Sequence, residues 1–318
     1  MTGPVATLTA SVVICAYTED RWEALLAAIE SVHSQLQPGD ELVVVIDHNP
    51  SLRERTASAI AARANVSVLA NADGRGLSGA RNTGVAASRG DLIAFLDDDA
   101  TARPGWLTEL RGAFLDDAVA VVGTAVYPRW EGGAPPRWFP PEFNWVVGCG
   151  YTGLPTETAV IRNPIGASMA VRATAFTAAG DFSHLVGRVG TLPVGCEETE
   201  FCIRLTGIDP GALILHRPGS AVDHLVPADR QTLRYFVRRC FHEGRSKWAV
   251  TRLGGSKAGL SAERRYVRVV LPAGVAAGLG QAVRRLDPFA LARASAIVLG
   301  LVCTLAGFAS QAVRQLVA

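Results

Sequence analysis

The sequence of 318 residues is short of several features that would narrow its function. It has no excess of charge. Lys plus Arg number 31 against 29 Asp plus Glu, so nothing in the balance points to nucleic acid as a partner. It has no paired cysteines. Cys15, Cys149, Cys196, Cys202, Cys240 and Cys303 are scattered without a CxxC, which argues against a disulfide framework and reads as small buried hydrophobes. Met1–Ala10 lacks the positive charge and apolar core of a signal peptide, so the bulk of the chain is expected in the cytosol. There is no internal repeat. Acids are scarce after Arg230, where only Glu243, Glu263 and Asp287 remain among many basic residues. A basic stretch beside apolar runs fits the cytoplasmic face of a membrane.

Apolar residues are plentiful. They make up 49% of the chain, enough to bury a substantial core and to exclude intrinsic disorder. The first half alternates short apolar runs with helical patterns, as in an α/β parallel sheet with crossover helices. Strands are expected at Ser11–Ala16, Glu41–Ile46, about Val66–Leu69, Asp91–Leu96 and Val119–Val126. Helices are expected at Glu19–Leu36, capped by Thr18, at about Leu52–Ala64, near Ser78–Ser88, and from Pro104 to about Leu115. Between Pro128 and Pro164 the pattern lapses into Pro, Gly and Trp, as in a long functional loop or flap. Ser168–Arg172, Ala212–Leu215 and Ser220–Val222 read as short strands, and Cys196–Leu205 as the start of a helix.

Gly74–Gly79 matches the G-x-G-x-x-G of dinucleotide-binding turns, which admits an NAD(P)-dependent oxidoreductase as an alternative. The match falls near the third strand, and the next strand ends in three aspartates that would repel a pyrophosphate unless a cation intervened. Those aspartates, Asp97-Asp98-Asp99, are the stronger signal. Three carboxylates at a strand end cannot all stay ionised without a cation or strong donors. Their hard oxygens suit Mg²⁺ or Mn²⁺, which bridge carboxylates to diphosphates. Alternation along the chain lets Asp97 and Asp99 face one way and Asp98 the other. A second acidic group, Glu197-Glu198-Thr199-Glu200, opens a helix. It reads either as a functional pair or as an acidic cap with Glu200 and Arg204 paired at i,i+4. His224, in VDHLV, reads as a structural histidine or as a metal ligand.

Taken in order, SVVICAYTEDR, VVVIDH, GLSGARNTGVAASRGDLIAFLDDDA, GASMAVRATAF and GCEETEFCIRL resemble the inverting family 2 glycosyltransferases of GT-A fold, over about Ser11–Lys247. The resemblance implies a Rossmann-like mixed sheet that binds a nucleotide-diphospho-sugar. It implies donor-binding roles for Ala16, Tyr17, Glu19, Asp47, Arg81, Asp97 and Asp98, with the uracil of a UDP-sugar at the first strand end and Asp47. It places the metal on Asp99 with His224, and makes Glu198 the base that deprotonates the acceptor hydroxyl. Glu stands there where Asp is common in the family. Glu197 and Gly166 fall on the acceptor side. Trp138 and Trp145 either shape the acceptor site or form the core of the flap. The implied organisation is a tail (1–10), a catalytic domain (11–250, nucleotide-sugar half 11–127 and acceptor half 128–250) and a helical, membrane-associated region (251–318).

That last region contains two uncharged runs, Val269–Val283 and Ala294–Val313, flanked by arginines. They read as a membrane hairpin or interfacial anchor, or else as a soluble helical pair packed on the core. The expected partners are a nucleotide-sugar donor, a sugar or lipid-linked sugar acceptor and a membrane surface, with the site on the cytoplasmic side. A membrane-tethered binding protein without catalysis is the remaining alternative.

Overall fold

A computed structural model describes residues 8–184, 196–254 and 261–317; most of the expected N-terminal tail lies outside the described residues. The first apolar run is strand β1 (Ala10–Ala16), flanked on both sides by parallel neighbours, β2 (Glu41–Ile46) and β4 (Leu92–Asp97). β3 (Val66–Ala70) extends the sheet beyond β2. Because side chains alternate along a strand, one run of apolar residues feeds two cores. Val12, Ile14, Leu42 and Val44 pack on one face with Leu25 and Ile29 of helix α1 (Trp22–His33). Val13, Val43, Val45 and Phe95 pack on the other with Ala80 of α3 (Leu77–Ala87) and Phe201. Helix α2 (Pro50–Ile60) links β2 to β3 and is capped by the Asn49 side chain.

Beyond β4 the sheet turns mixed. Its order is β3-β2-β1-β4-β8-β6-β9-β5, with β7 paired to β9. β5 (Ala100–Ala102), β6 (Val119–Trp130), β7 (Ala159–Val160), β8 (Ser168–Arg172) and β9 (Leu213–Val226) form this half, with α4 (Trp106–Ala113), α5 (Ala173–Ala179) and α6 (Glu197–Ile208). Thus the α/β expectation holds: the first half is parallel, and the whole sheet is mixed as the resemblance implied, with β8 antiparallel to both β4 and β6.

Three local expectations also change. The two strands expected at 212–215 and 220–222 are one strand, β9. Its register against β6 slips between Thr124 and Ala125, so that the Pro218-Gly219 pair bulges out instead of ending the strand. The expected flap is partly regular, since β6 runs on to Trp130 and a 3₁₀ helix occupies Pro141–Val147. The expected helix from Glu19 opens as a 3₁₀ turn at Glu19–Arg21, in which the Thr18 side chain accepts from the Asp20 N–H.

Helix α7 (Leu233–Gly254) follows β9, then α8 (Ser261–Arg265), α9 (Leu271–Arg285) and α10 (Pro288–Val317). Among the described residues, Glu263–Arg285 and Pro288–Arg314 are long and apolar enough, by length and composition, to cross a membrane. These apolar helices fit a membrane-associated segment.

Candidate active site

Parallel strands deliver their C-terminal ends to one edge, and here β1 and β4 end on Ala16 and Asp97, while Asp47 directly follows the end of β2 at Ile46. The Asp47 N–H donates to the Ala16 carbonyl at 2.8 Å, fixing the two strand ends together. The Asp47 carboxylate accepts from the Asn71 side-chain amide at 2.7 Å and from the Gly76 N–H at 3.0 Å, and lies 2.7 Å from His48 Nδ1. Gly76 holds φ at +121°, a conformation glycine adopts without penalty, and this aims its N–H at Asp47. The Gly-rich turn therefore follows β3 at the sheet edge and is tied to a neighbouring strand end.

The chain turns sharply after Asp97, so the three aspartates diverge. Asp97 and Asp99 face His224, with His224 Nε2 4.0 Å from Asp97 Oδ2 and 3.1 Å from Asp99 Oδ1. Asp98 faces Arg21, whose Nη1 donates to it at 2.6 Å and to Asp99 Oδ2 at 2.9 Å. Arg230 adds a second cation 3.4 Å from Asp99 Oδ2. Burial works against ionisation of Asp99, yet His224, Arg21 and Arg230 together hold its carboxyl well below the usual carboxylate range. Burial pushes Asp98 up to about 7 against the pull of Arg21, and among the described residues its second oxygen is buried without a hydrogen-bond partner. Burial disfavours the charged form of His224, but Asp99 outweighs it and raises the imidazole well above its ordinary range.

These residues line an open cleft with Cys15, Tyr17, Leu77 and Ala80. Ligand atoms of Asp97, Asp99 and His224 all lie within 4.8 Å of one another. The arginines engage Asp99 Oδ2, leaving Oδ1 beside Asp97 Oδ2 and the imidazole. Two carboxylate oxygens and one nitrogen suit Mg²⁺ or Mn²⁺, so the donor set fits a divalent cation.

Arg81 joins this edge to the second acidic group. Its guanidinium is buried and donates to Glu197 Oε1 at 2.8 Å and to the Gly166 carbonyl at 2.7 Å, and lies 3.4 Å from Asp97 Oδ1. Gly166 is bare for a reason: a Cβ there would stand 3.2 Å from both terminal nitrogens of Arg81. Glu197 spends its charge on Arg81, whereas the Glu198 carboxylate accepts a 3.2 Å bond from the Thr199 hydroxyl. Burial, and then the neighbouring charge of Glu197, push Glu198 up to about 7. Glu200 pairs with Arg204 at i,i+4, as one reading of the sequence had it.

Other expected site residues stand elsewhere. Tyr17 lines the cleft with its ring 5.0 Å from the Arg21 guanidinium. Glu19 is exposed on the 3₁₀ turn, 3.9 Å from Arg55, and is not among the residues lining the cleft. Trp138 and Trp145 are both partly buried and have packing partners in the flap and the C-terminal helices. Trp138 packs edge-on against Phe236 of α7, and the Trp145 indole donates to the Tyr266 hydroxyl at 3.0 Å. Arg21 and Arg230 were given no role in the sequence reading, although three clustered aspartates demand counter-charges. Arg21 sits one turn past the β1 end and Arg230 six residues past His224, so proximity to motif ends was the available signal.

Comparison with known proteins agrees with this geometry. The family model described as glycosyl transferase family 2 matches residues 11–177, from β1 into α5. The glucosyl-dolichyl phosphate glucuronosyltransferase of Haloferax volcanii is 34% identical over 239 residues, covering 74% of this chain and 75% of that protein. Among solved structures, the mannosyltransferase PcManGT from Pyrobaculum calidifontis, in complex with GDP-Man and Mn²⁺, superposes with a TM-score of 0.61 at 18% identity. The match covers 93% of this chain and 86% of that one. GalNAc-T7 with UDP, GalNAc and Mn²⁺ gives 0.55 at 17% identity, over 82% of this chain and 54% of that one. Both likenesses establish the GT-A fold. With a family model spanning more than half its length and a relative aligned over three quarters of both proteins, the chain belongs to glycosyl transferase family 2.

Proposed function

We propose that the enzyme moves a sugar, with inversion, from a nucleotide-diphosphate sugar to a hydroxyl on a sugar or lipid-linked sugar, in envelope polysaccharide or glycolipid synthesis. The observation that carries this reading is the convergence of Asp97, Asp99 and His224 on one point of a cleft that also contains Asp47 and two arginines. Asp99 Oδ1, Asp97 Oδ2 and His224 Nε2 would hold a divalent cation. Such a cation, when bound, supplies positive charge for the departing diphosphate. Asp47, beside Ala16 and Tyr17, offers hydrogen-bond acceptors to the base of the nucleotide. A UDP-sugar is the donor proposed; the fold relatives crystallised with UDP and with GDP-Man make both bases natural competitors.

Glu198 is the proposed base. It takes the proton of the acceptor hydroxyl as that oxygen attacks the anomeric carbon, while the bond to the diphosphate breaks and the nucleoside diphosphate leaves. One displacement inverts the anomeric centre. Arg81 holds Glu197, the residue before the base, against the donor edge, so it positions Glu198 without touching the acceptor.

Residues 11–250 form the catalytic unit in this reading, and 251–318 hold it against the cytoplasmic face of the cell membrane. A relative named for a dolichyl-phosphate-linked substrate makes a lipid-linked acceptor the natural candidate. The test is a panel of UDP- and GDP-sugars with Mn²⁺, scored for nucleotide release with and without lipid-linked acceptors. Asp99→Asn and Glu198→Gln should each reduce turnover at least a hundredfold. Nucleotide-sugar binding with no turnover under any condition would instead identify a non-catalytic binding protein.

A further inference from the structure

We propose that the α9–α10 hairpin lies in the plane of an anionic bilayer surface, half-immersed, and does not cross the membrane. The inference deepens the membrane-facing reading above and rests on it. The length and composition of these helices permit a crossing; their neighbours do not.

Helix α10 is flanked by the catalytic domain along much of its length. Gly244 of α7 abuts the Thr304 carbonyl, and Gly307 abuts the carbonyl of Phe241, so closely that a side chain at either glycine would strike backbone. Arg245 of α7 donates to Gln311 at 3.0 Å, and Trp248 meets Phe308 edge-on. Further back, Gly300 abuts Phe143 of the 3₁₀ segment, and Arg293 donates to the Arg137 carbonyl. The face of α7 toward the domain carries Arg239, Glu243 and Lys247 in ion pairs. If residues 294–313 crossed the hydrocarbon, these charges and the domain behind them would be drawn to the same depth. That arrangement is strongly unfavourable. The start of the hairpin is equally fixed, because Glu263 pairs with Arg162 at 2.8 Å and with Lys247 at 2.5 Å.

The opposite face is what a bilayer surface requires. Leu291, Val298, Val302, Leu305 and Val313 recur at helical spacing on α10 and are all exposed. Their stripe is about 33 Å long at the rise of an α-helix. On α9, Leu279 and Val283 are exposed as well. Between α7 and α10 runs an open apolar groove lined by Val237, Phe241, Val302 and Ala306, and exposed Arg234 and Arg238 lie along it. Residues 261–318 contain seven arginines against Glu263 and Asp287. An apolar stripe edged by arginines matches acyl chains below and phosphate groups above, the pattern of an interfacial helix. A second copy of this chain would offer the same cations to those cations, so charge complementarity selects the lipid.

The test uses the full chain, added to preformed sealed vesicles of phosphatidylcholine with or without phosphatidylglycerol. Flotation should require phosphatidylglycerol, weaken with salt, and fall at least tenfold in Leu305→Glu. Solution-phase transfer to a water-soluble acceptor should be unchanged in that variant. In a Cys303→Ser background, cysteines placed by Leu286→Cys and Arg314→Cys should both react with a membrane-impermeant maleimide added outside. Protection of either one until detergent is added would show a crossing, sinking the in-plane geometry while leaving membrane attachment intact. Failure to float with either vesicle overturns both, and a dimer dissociated by Leu305→Glu would then identify a second copy as what covers the face.

Discussion

Arg81 and Glu197 are 116 residues apart in sequence and meet at 2.8 Å, both almost wholly buried. Through this contact the helix carrying Glu198 is fixed to the strand end carrying Asp97, because the same guanidinium also bonds the Gly166 carbonyl and lies 3.4 Å from Asp97. In the proposed mechanism, the alignment of Glu198 with the donor edge rests on this contact.

Removing one partner of a buried pair leaves the other charge uncompensated. Glu197→Ala is expected to destabilise the fold by roughly 3 kcal/mol, read from urea denaturation. Glu197→Gln keeps a hydrogen-bonding oxygen near Arg81 but not the charge, so it should recover part of the stability lost in Glu197→Ala while losing activity. A wild-type urea midpoint in Glu197→Ala would show that the pair contributes little.

Glu198 sets a pH dependence. Its carboxyl is pushed up to about 7 by burial and by Glu197, against an ordinary value of 4.5. A base must be ionised, so kcat/KM should rise tenfold per pH unit below about 7 and level off above it. Stability runs the other way. The folded state holds this proton more tightly than the unfolded chain, so its contribution is complete below 4.5 and is lost as pH rises through about 7. Glu198→Gln should abolish transfer and flatten that part of the stability profile. A rate that is flat from pH 5.5 to 8 would remove Glu198 from the base role.

Much of this was legible in the sequence because one-dimensional patterns carry it. Apolar runs such as LVVVI and IAFL can be buried on both faces only in a sheet interior, and the ends of those runs place Asp47 and Asp97 at one edge. What was not legible depends on long-range packing. Ser168–Arg172 reads as a strand, yet nothing local says that it inserts antiparallel between β4 and β6. Pro218-Gly219 reads as a break, and only pairing with β6 on both sides carries β9 through it. Arg21 and Arg230 converge on Asp99 from segments more than 200 residues apart in number, a meeting that no spacing rule foretells.

Trp138 illustrates the same limit and yields a prediction. An aromatic in a loop near a sugar site suggests stacking on substrate, but this ring packs on Phe139 and Phe236 with centroids 5.4 and 5.5 Å away. Trp138→Ala should therefore lower stability by about 2–4 kcal/mol, since it removes a large, partly buried ring. The acceptor KM should stay within about twofold. A large rise in KM at unchanged thermal stability would return Trp138 to the acceptor site.

Gly166 offers the sharpest separation of positioning from metal binding. A methyl group there would stand 3.2 Å from both terminal nitrogens of Arg81, closer than ordinary contact, so the guanidinium must give way by a few tenths of an ångström. Arg81 is bound at three points, and a shift at one is passed to Glu197 and hence to Glu198. The cation ligands are different residues, Asp97, Asp99 and His224, and only Asp97 touches Arg81, at the longest of its contacts. Gly166→Ala should thus leave Mn²⁺ affinity by titration calorimetry within about threefold while reducing kcat roughly ten- to a hundredfold, the scale of loss expected when reacting groups are misplaced by a fraction of an ångström. Equal losses in both would mean that the Arg81 hub and the cation site are one mechanical unit, and that Asp97 cannot be moved independently of the base.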